Sequence, residues 1–115
     1  MVIENLKSII GYSSNSLPKD FAKLLSSLKK HQNYDQITID LIFDAYNFGK
    51  KAHEGQKRKS GEPYFNHCVA VATILADWGM DYNMVISGLL HDTIEDTKVK
   101  KNDISSRYGE DVLHL

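Results

Sequence analysis

Four residues in the segment HDTIED at 91–96 combine side chains that bind metals and move protons: His91, Asp92, Glu95 and Asp96. Residues three and four apart on a helix share a face, so a helix would place His91 over Glu95 and Asp92 over Asp96. Three carboxylates at the C-terminal end of a helix oppose its dipole and repel one another. A bound cation removes this repulsion, and imidazole with carboxylate suits Mn²⁺, Fe²⁺ or Zn²⁺. The pattern therefore indicates a metal site.

A second histidine, His67, falls one turn into the preceding helical pattern, beside its apolar stripe. An imidazole in that setting needs a polar partner, which could be a metal ion or a backbone carbonyl. The alternative for the acidic segment is a solvated helix end, balanced by the cations that follow it: Lys98, Lys100 and Lys101. The remaining histidines have no comparable setting and are interpreted as structural: His31, His53 and His114.

Residues 54–63, EGQKRKSGEP, contain two glycines, a proline and dense charge, which predicts a loop. Within it, Lys57, Arg58 and Lys59 are followed by Ser60 and Gly61, so cations, a hydroxyl and flexible backbone are available to a polyanion such as phosphate. The guanidinium plane of Arg58 could also lie against a nucleobase. The alternative is that three adjacent cations in a loop are simply solvated.

Apolar residues recur at helical spacing in the segments that would position these groups. They predict five helices, at about 17–28, 37–52, 64–78, 82–90 and 103–108. Ser16 is expected to cap the first helix, with Pro18 in its first turn, and Pro63 to begin the third. Gly79 is expected to end the third helix, and Asp81 to cap the fourth. Runs of alternating β-branched and polar residues are essentially missing, so the predicted fold is all-α.

The composition excludes several classes of protein. A chain of 115 residues can build one core and is expected to form one domain. Its 14 basic and 15 acidic residues nearly cancel, which argues against a general nucleic-acid or membrane surface and requires any anion site to be local. Cys68 is the only cysteine, which excludes an internal disulfide and favours a cytoplasmic protein. We expect neither a signal peptide nor a membrane anchor in residues 1–12.

Two motifs carry a family resemblance. RKSGEPYFNH at 58–67 and GLLHDTIEDT at 88–97, separated by a helix containing ILADWGMD, closely resemble the hydrolase domain of the RelA/SpoT homologues. The similarity begins at KKAHEGQ, continues through SRYGEDV and covers well over half of the chain. It implies a helical bundle of the HD-domain type. It also implies metal-dependent removal of the 3′-pyrophosphate of guanosine tetra- or pentaphosphate, the nucleotides of the stringent response.

The resemblance also implies roles for individual residues. The histidine that closes the first motif and the His-Asp pair of the second are metal ligands in that family, which implies Mn²⁺ on His67, His91 and Asp92. Two acidic residues implicated in catalysis correspond to Glu95 and Asp96. The family's residues near the guanosine correspond to the loop residues Arg58, Lys59 and Ser60.

Two departures from the family pattern bear on these expectations. Cys68 stands where many relatives have proline, and a helix accepts it as a small apolar residue. The family also takes a further aspartate ligand and part of the nucleotide pocket from helices beyond the point that matches Leu115. Residues 1–115 are therefore expected to be the N-terminal portion of a single HD-type hydrolase domain. Apolar surface left uncovered would favour self-association or a partner chain.

Two other functions are compatible with the same residues. One is a catalytically inactive module that keeps the metal or nucleotide site and has a regulatory or partner-dependent role. The other is an HD phosphohydrolase that acts on another nucleotide, because the His-Asp pair does not define a substrate. The segment RKSGEPY favours the guanosine tetraphosphate branch over this last alternative.

Overall fold

The computed structural model describes residues 17–31 and 33–113, and within these ranges the chain forms seven helices. They are α1 (Lys19–Lys29), α2 (Gln36–Ala52), α3 (Phe65–Asp77), α4 (Tyr82–Leu90), α5 (Thr93–Asp96), α6 (Lys101–Tyr108) and α7 (Glu110–Leu113). The extended structure in the described residues is one isolated antiparallel bridge between Lys57 and Pro63. The predicted all-α fold is confirmed. No described helix has both the length and the apolar character needed to cross a membrane.

Helix α4 lies at the centre of the bundle, where it packs against α3, α2 and α7. Helix α1 covers α3 from the other side, and α6 packs on α7. The core includes an aromatic cluster in which Phe21 lies 4.6 Å from Phe43 and 5.2 Å from Tyr46, measured between ring centroids. Residues of α4 are buried along almost its whole length, including Val85, Ile86 and Leu89. The bundle thus fixes the ends of α3 and α4, from which the candidate site projects.

Local sequence signals explain most helix ends. The carboxylate of Asp81 accepts a hydrogen bond from the backbone N–H of Met84 at 2.9 Å, so the predicted cap of α4 is confirmed. Asp35 caps α2 in the same way through Thr38, and this hydrogen bond lowers the pKa of the Asp35 carboxyl. Gly79 ends α3 as predicted, with a φ of 78° that other residues rarely adopt.

Three predicted boundaries differ from the structure. Ser16 lies outside the described residues, and Pro18 is the residue that precedes the first turn of α1. Pro63 does not begin α3, because it is paired with Lys57, and the helix begins two residues later at Phe65. Helix α6 begins at Lys101, earlier than predicted, since Asp103 accepts a hydrogen bond from the backbone N–H of Lys100 at 3.0 Å.

Residues 91–96, whose spacing was interpreted as one helical face, do not form one continuous helix. Helix α4 ends at Leu90, and α5 starts separately at Thr93 after a turn at His91 and Asp92. Asp92 lies at the edge of the right-handed helical region, with φ −91° and ψ −5°. The backbone N–H of Asp96 still donates to the carbonyl of Asp92 at 2.9 Å, so the turn that sets Asp92 beneath Asp96 is retained.

Candidate metal centre

The three predicted metal ligands meet at one place in the structure. His67 is in the first turn of α3, whereas His91 and Asp92 form the turn between α4 and α5. One candidate ligand atom from each residue lies within 4.8 Å of the other two. Two atoms bound to one ion at about 2.0–2.2 Å lie at most about 4.4 Å apart, so ligand atoms within 4.8 Å need to move by only a few tenths of an ångström to share a single ion.

The ring of His91 is oriented by its own helix. Its Nδ1 lies 2.9 Å from the carbonyl oxygen of Gly88, so Nδ1 must carry the hydrogen and donate it. In the neutral ring this leaves the lone pair on Nε2, which lies 3.2 Å from Oδ2 of Asp92. Two acceptors side by side repel each other unless a proton or a metal ion lies between them. The donor set therefore fits a cation.

Tyr64 also holds the carboxylate of Asp92, at the same oxygen that lies near His91. Its hydroxyl donates to Oδ2 of Asp92 at 2.6 Å, and this hydrogen bond, followed by burial, raises the pKa of Tyr64 to about 12. The Tyr64 ring also lies 5.9 Å from the ring of His67, so one tyrosine contacts two of the three candidate ligands. The sequence analysis missed this residue, although its position three before His67 on a helical face was a usable signal.

Glu95 and Asp96, the predicted catalytic acids, are both exposed on the single turn of α5. The charge of Asp96 acts on the site, because together with Asp92 it contributes to the raised pKa of Cys68, for which burial is the larger cause. It contributes in the same direction to the pKa of Tyr64. Asp96 is therefore near enough to the candidate metal centre for its charge to act there, whereas no described contact ties the Glu95 side chain to the centre.

The loop of Arg58, Lys59 and Ser60 has an ordered backbone and solvent-exposed side chains. The backbone N–H of Arg58 donates to the carbonyl of Glu62 at 2.9 Å, and the N–H of Gly61 donates to the carbonyl of Arg58 at 2.8 Å. The loop runs directly into Tyr64 and α3. Among the described contacts none joins the side chains of Arg58, Lys59 or Ser60 to the metal ligands. The structure therefore does not bring these three predicted substrate-binding residues into contact with the candidate metal centre.

A cavity of about 100 Å³ opens beside His91. It is lined by residues of α4, of the turn after it and of the helices that follow: Ser87, Leu90, His91, Ile94, Ile104, Val112 and Leu113. Sites that enclose small molecules usually measure about 300–1,000 Å³, so a nucleotide would not fit inside this cavity. The accessible side of the metal centre is the one where the His91 side chain is 40% exposed.

The predicted structural histidines lie in different surroundings. His53 is buried, with 2% of its surface exposed, and is held by hydrogen bonds on both ring nitrogens. His31 is exposed, and its Nε2 lies 2.7 Å from the carbonyl oxygen of Asp77. His114 lies outside the described residues.

A family model described as HD domain matches residues 45–115, which include the three candidate ligands and the loop before them. The chain belongs to the HD domain family. Its similarity to curated relatives places it in the RelA/SpoT-type branch of that family. The two residues that give the family its name, histidine followed by aspartate, are His91 and Asp92 in this HD domain.

Three relatives illustrate the similarity. This HD domain is 45% identical over 100 residues to the guanosine-3′,5′-bis(diphosphate) 3′-pyrophosphohydrolase of Aquifex aeolicus. The matched region covers 87% of this chain and 13% of that protein. It is 49% identical over 77 residues to the bifunctional (p)ppGpp synthase/hydrolase SpoT of Escherichia coli, covering 67% and 11%. The GTP pyrophosphokinase of Myxococcus xanthus is 46% identical over 77 residues, covering 67% and 10%. The chain thus spans about a tenth of the length of these relatives.

Proposed function

We propose that this HD domain removes the 3′-pyrophosphate from guanosine tetra- or pentaphosphate with the help of a bound metal ion. The observation that carries this proposal is the convergence of His67, His91 and Asp92 within 4.8 Å. Similarity to proteins named as hydrolases of that nucleotide supports the choice of substrate. The basic loop before α3 supports it independently, since it offers cations to phosphate groups.

His67, His91 and Asp92 would hold the ion. Two imidazoles and one carboxylate suit several divalent metals, and the proposal of Mn²⁺ rests on the family resemblance. When bound, the ion would supply a Lewis acid and an activated water at neutral pH. Tyr64 would fix Oδ2 of Asp92, the oxygen that lies 3.2 Å from Nε2 of His91, and so orient the carboxylate toward the ion.

The remaining predicted residues would act on the substrate. Asp96 and Glu95 would take the proton from the attacking water and return one to the leaving group. Both carboxylates are exposed on α5, so they are accessible to a substrate and to water. Arg58 and Lys59 would bind the phosphates, and Ser60 would donate a hydrogen bond to the nucleotide. The exposure of these three side chains leaves them free to close on a ligand.

The proposal treats residues 1–115 as one HD-type hydrolase domain. The family resemblance implies one more aspartate ligand than the three residues that meet here. Water can complete the coordination shell of an ion held by three protein ligands, so metal binding does not require the fourth side chain.

A second candidate function is a metal- or nucleotide-binding module without turnover. The relative from Myxococcus xanthus favours it, because that protein is named for a kinase reaction and not for hydrolysis, yet it is 46% identical to this chain over 77 residues. In this case the metal centre and the loop would bind the nucleotide and report its presence to a partner.

Pyrophosphate release from guanosine tetraphosphate tests both candidates. The purified chain with Mn²⁺ is expected to release pyrophosphate, and Asp92→Ala and Glu95→Gln are each expected to lower kcat about 100-fold or more. Asp111→Ala is the matched control, because this carboxylate is exposed on α7. GTP, which lacks the 3′-pyrophosphate, should give no pyrophosphate at a comparable rate.

The outcomes separate the candidates. Binding of the nucleotide by calorimetry without product would support the module that binds and does not turn over. Comparable turnover of other nucleotides would support a broader HD phosphohydrolase. If the chain neither binds nor hydrolyses guanosine tetraphosphate in the presence of Mn²⁺, the proposed function is wrong.

A further inference from the structure

A series of hydrogen bonds between buried and partly buried side chains lies next to the candidate metal centre. It includes His53 and Gln56, two residues that have no role in the proposed mechanism. His53, just after α2, has 2% of its surface exposed. Its Nδ1 lies 2.8 Å from Oε1 of Gln56, and its Nε2 lies 3.3 Å from Oγ1 of Thr93. Thr93, the first residue of α5, is fully buried. Burial makes these hydrogen bonds costly to lose, because water cannot replace the missing partner.

The direction of each hydrogen bond in this series follows from the one between Gln56 and Asp96. The side-chain amide of Gln56 donates to the backbone carbonyl of Asp96 at 2.5 Å, which identifies that end of the amide as the NH₂ group. Its Oε1 must then accept, so the Nδ1 of His53 carries the hydrogen. The Nε2 of neutral His53 is left as an acceptor for the Thr93 hydroxyl. The hydrogen bonds thus run from Thr93 through His53 and Gln56 to Asp96.

This chain of hydrogen bonds begins and ends in α5. Thr93 and Asp96 are the first and last residues of that helix, which has only four residues. A single helical turn is not stable on its own, because nucleating a helix costs more than its first hydrogen bond returns. The order of α5 therefore depends on contacts from outside, and His53 and Gln56 supply contacts at both of its ends.

We infer that His53 and Gln56 are positioning residues that clamp α5 at both ends and so set where Glu95 and Asp96 stand relative to the metal ligands. The inference rests on the proposed function for the roles of Glu95 and Asp96. The clamp itself rests only on the four hydrogen-bonded residues. It touches neither the substrate nor the ion.

The same two residues also connect α5 to the basic loop. Gln56 lies in that loop, two residues before Arg58, and its backbone carbonyl accepts a hydrogen bond from the N–H of Tyr64 at 2.9 Å. The ring of His53 is in turn stacked on Phe65 of α3, with 6.1 Å between centroids. His53 and Gln56 therefore help to fix the positions of three parts of the site. These are the loop proposed to bind phosphate, Tyr64, which holds Asp92, and helix α5, which carries Glu95 and Asp96.

Two substitutions of Thr93 separate hydrogen bonding from packing. Thr93→Val keeps the shape of the side chain and removes the hydroxyl, whereas Thr93→Ser keeps the hydroxyl and removes a methyl group. If the clamp operates, hydrogen exchange of residues 91–98 should rise about tenfold in the valine variant and stay nearer to wild type in the serine variant. The kcat for pyrophosphate release should follow the same order. The opposite order would show that Thr93 acts by packing and would overturn the inference.

Gln56→Glu tests the other end of the clamp. Glutamate has the same shape but cannot donate to the carbonyl of Asp96 when ionised. We expect faster exchange in residues 91–98, about a tenfold loss of kcat, and Mn²⁺ affinity within about threefold of wild type, because none of the three proposed ligands belongs to α5. Asn47→Asp is the matched control, since it makes the same amide-to-carboxylate change on the exposed face of α2. Unchanged exchange in residues 65–77 verifies that the bundle is intact.

The exchange measurement keeps this inference separate from the proposed function. If wild type releases no pyrophosphate, the proposed function fails, and the clamp is then judged by exchange in residues 91–98 alone. Unchanged exchange in both Gln56→Glu and Thr93→Val would overturn the clamp whatever the activity. Faster exchange with kcat within twofold of an active wild type would overturn the positioning role of His53 and Gln56.

Discussion

Asp92 is the residue on which the candidate site depends most. Its carboxylate accepts a hydrogen bond from the Tyr64 hydroxyl at 2.6 Å and lies 3.2 Å from the Nε2 atom of His91. Residues that orient a metal ligand raise its affinity for the ion, because the ligand loses less freedom when it binds. The tyrosine is therefore expected to contribute to metal binding without touching the ion.

Tyr64→Phe is expected to weaken Mn²⁺ binding about 10- to 100-fold, since it removes this hydrogen bond and leaves the ring in place. Titration calorimetry of the purified chain measures the effect. Tyr82→Phe serves as the control, because the ring of Tyr82 is 36% exposed at the start of α4. Equal Mn²⁺ affinity in the Tyr64 variant and wild type would contradict the orienting role.

The sequence predicted the residues of the site better than their hydrogen bonds. His67, His91 and Asp92 could be proposed as ligands because their types and helical context suit a cation, and the structure brings them together. The partners that orient them could not, since Tyr64 and Asp92 are 28 residues apart, and His53 and Thr93 are 40 residues apart. Contacts at such separations depend on how the helices pack, which periodicity within one segment does not reveal.

Among the helices, prediction succeeded where a local signal decides the structure and failed where a tertiary contact does. The fourth helix was predicted from its cap at Asp81 and from its apolar spacing, both properties of neighbouring residues. The break at His91 and Asp92 was not predicted, because α5 is held by His53, which follows α2, and by Gln56 of the basic loop. The spacing of residues 91–96 suits one helical face, and periodicity alone does not reveal a turn within it.

Helix α2 lies close against the start of α3 and the end of α4 at Gly49. A Cβ atom at this position would lie 2.5 Å from Cε1 of Phe65 and 3.2 Å from Cδ2 of Leu90. Gly49→Ala should therefore lower the free energy of unfolding by about 1–2 kcal/mol, after the better helix propensity of alanine offsets part of the overpacking. Urea denaturation measures the loss. Asn47→Ala, exposed on the same helix, should be neutral or slightly stabilising, and equal stability of the two variants would contradict the close approach.

Helix α6 is tied to α2 by Tyr108, whose hydroxyl donates to Oδ2 of Asp44 at 2.8 Å. Burial, and next this hydrogen bond, raise the pKa of Tyr108 above its ordinary value of 10.0. A group whose pKa is raised by folding contributes stability below its unfolded pKa and loses that contribution as the pH rises through the folded pKa. The contribution of Tyr108 should therefore be complete at neutral pH, begin to fall above pH 10.0 and be lost only as the pH passes the raised pKa of the folded protein.

Tyr108→Phe is accordingly expected to lower the free energy of unfolding by about 1–2 kcal/mol at pH 7. The difference from wild type should stay constant up to about pH 9 and shrink at higher pH. Thermal unfolding of both proteins between pH 6 and pH 11 measures it. A difference that grows above pH 10 would show that the sign of the pKa shift is wrong.

At the scale of the whole molecule, the metal centre joins parts of the bundle that are distant in sequence. His67 belongs to the start of α3, and His91 and Asp92 follow the end of α4, the central helix. An ion that binds these three residues binds only the folded chain, because the unfolded chain does not hold them together. Metal binding should therefore stabilise the whole fold by mass action and not only the local turn.

With free Mn²⁺ at about 100 times its dissociation constant, the free energy of unfolding should rise by about 2.7 kcal/mol. For a domain of this size the corresponding rise in Tm is about 10–20 °C, and a chelator should reverse it. Asp92→Asn, which keeps the size of the side chain and an oxygen that can accept from Tyr64, should remove most of the shift, whereas Asp111→Asn on the exposed face of α7 should not. If Asp92→Asn and wild type gain the same Tm, the ion binds elsewhere and the proposed ligand set is wrong.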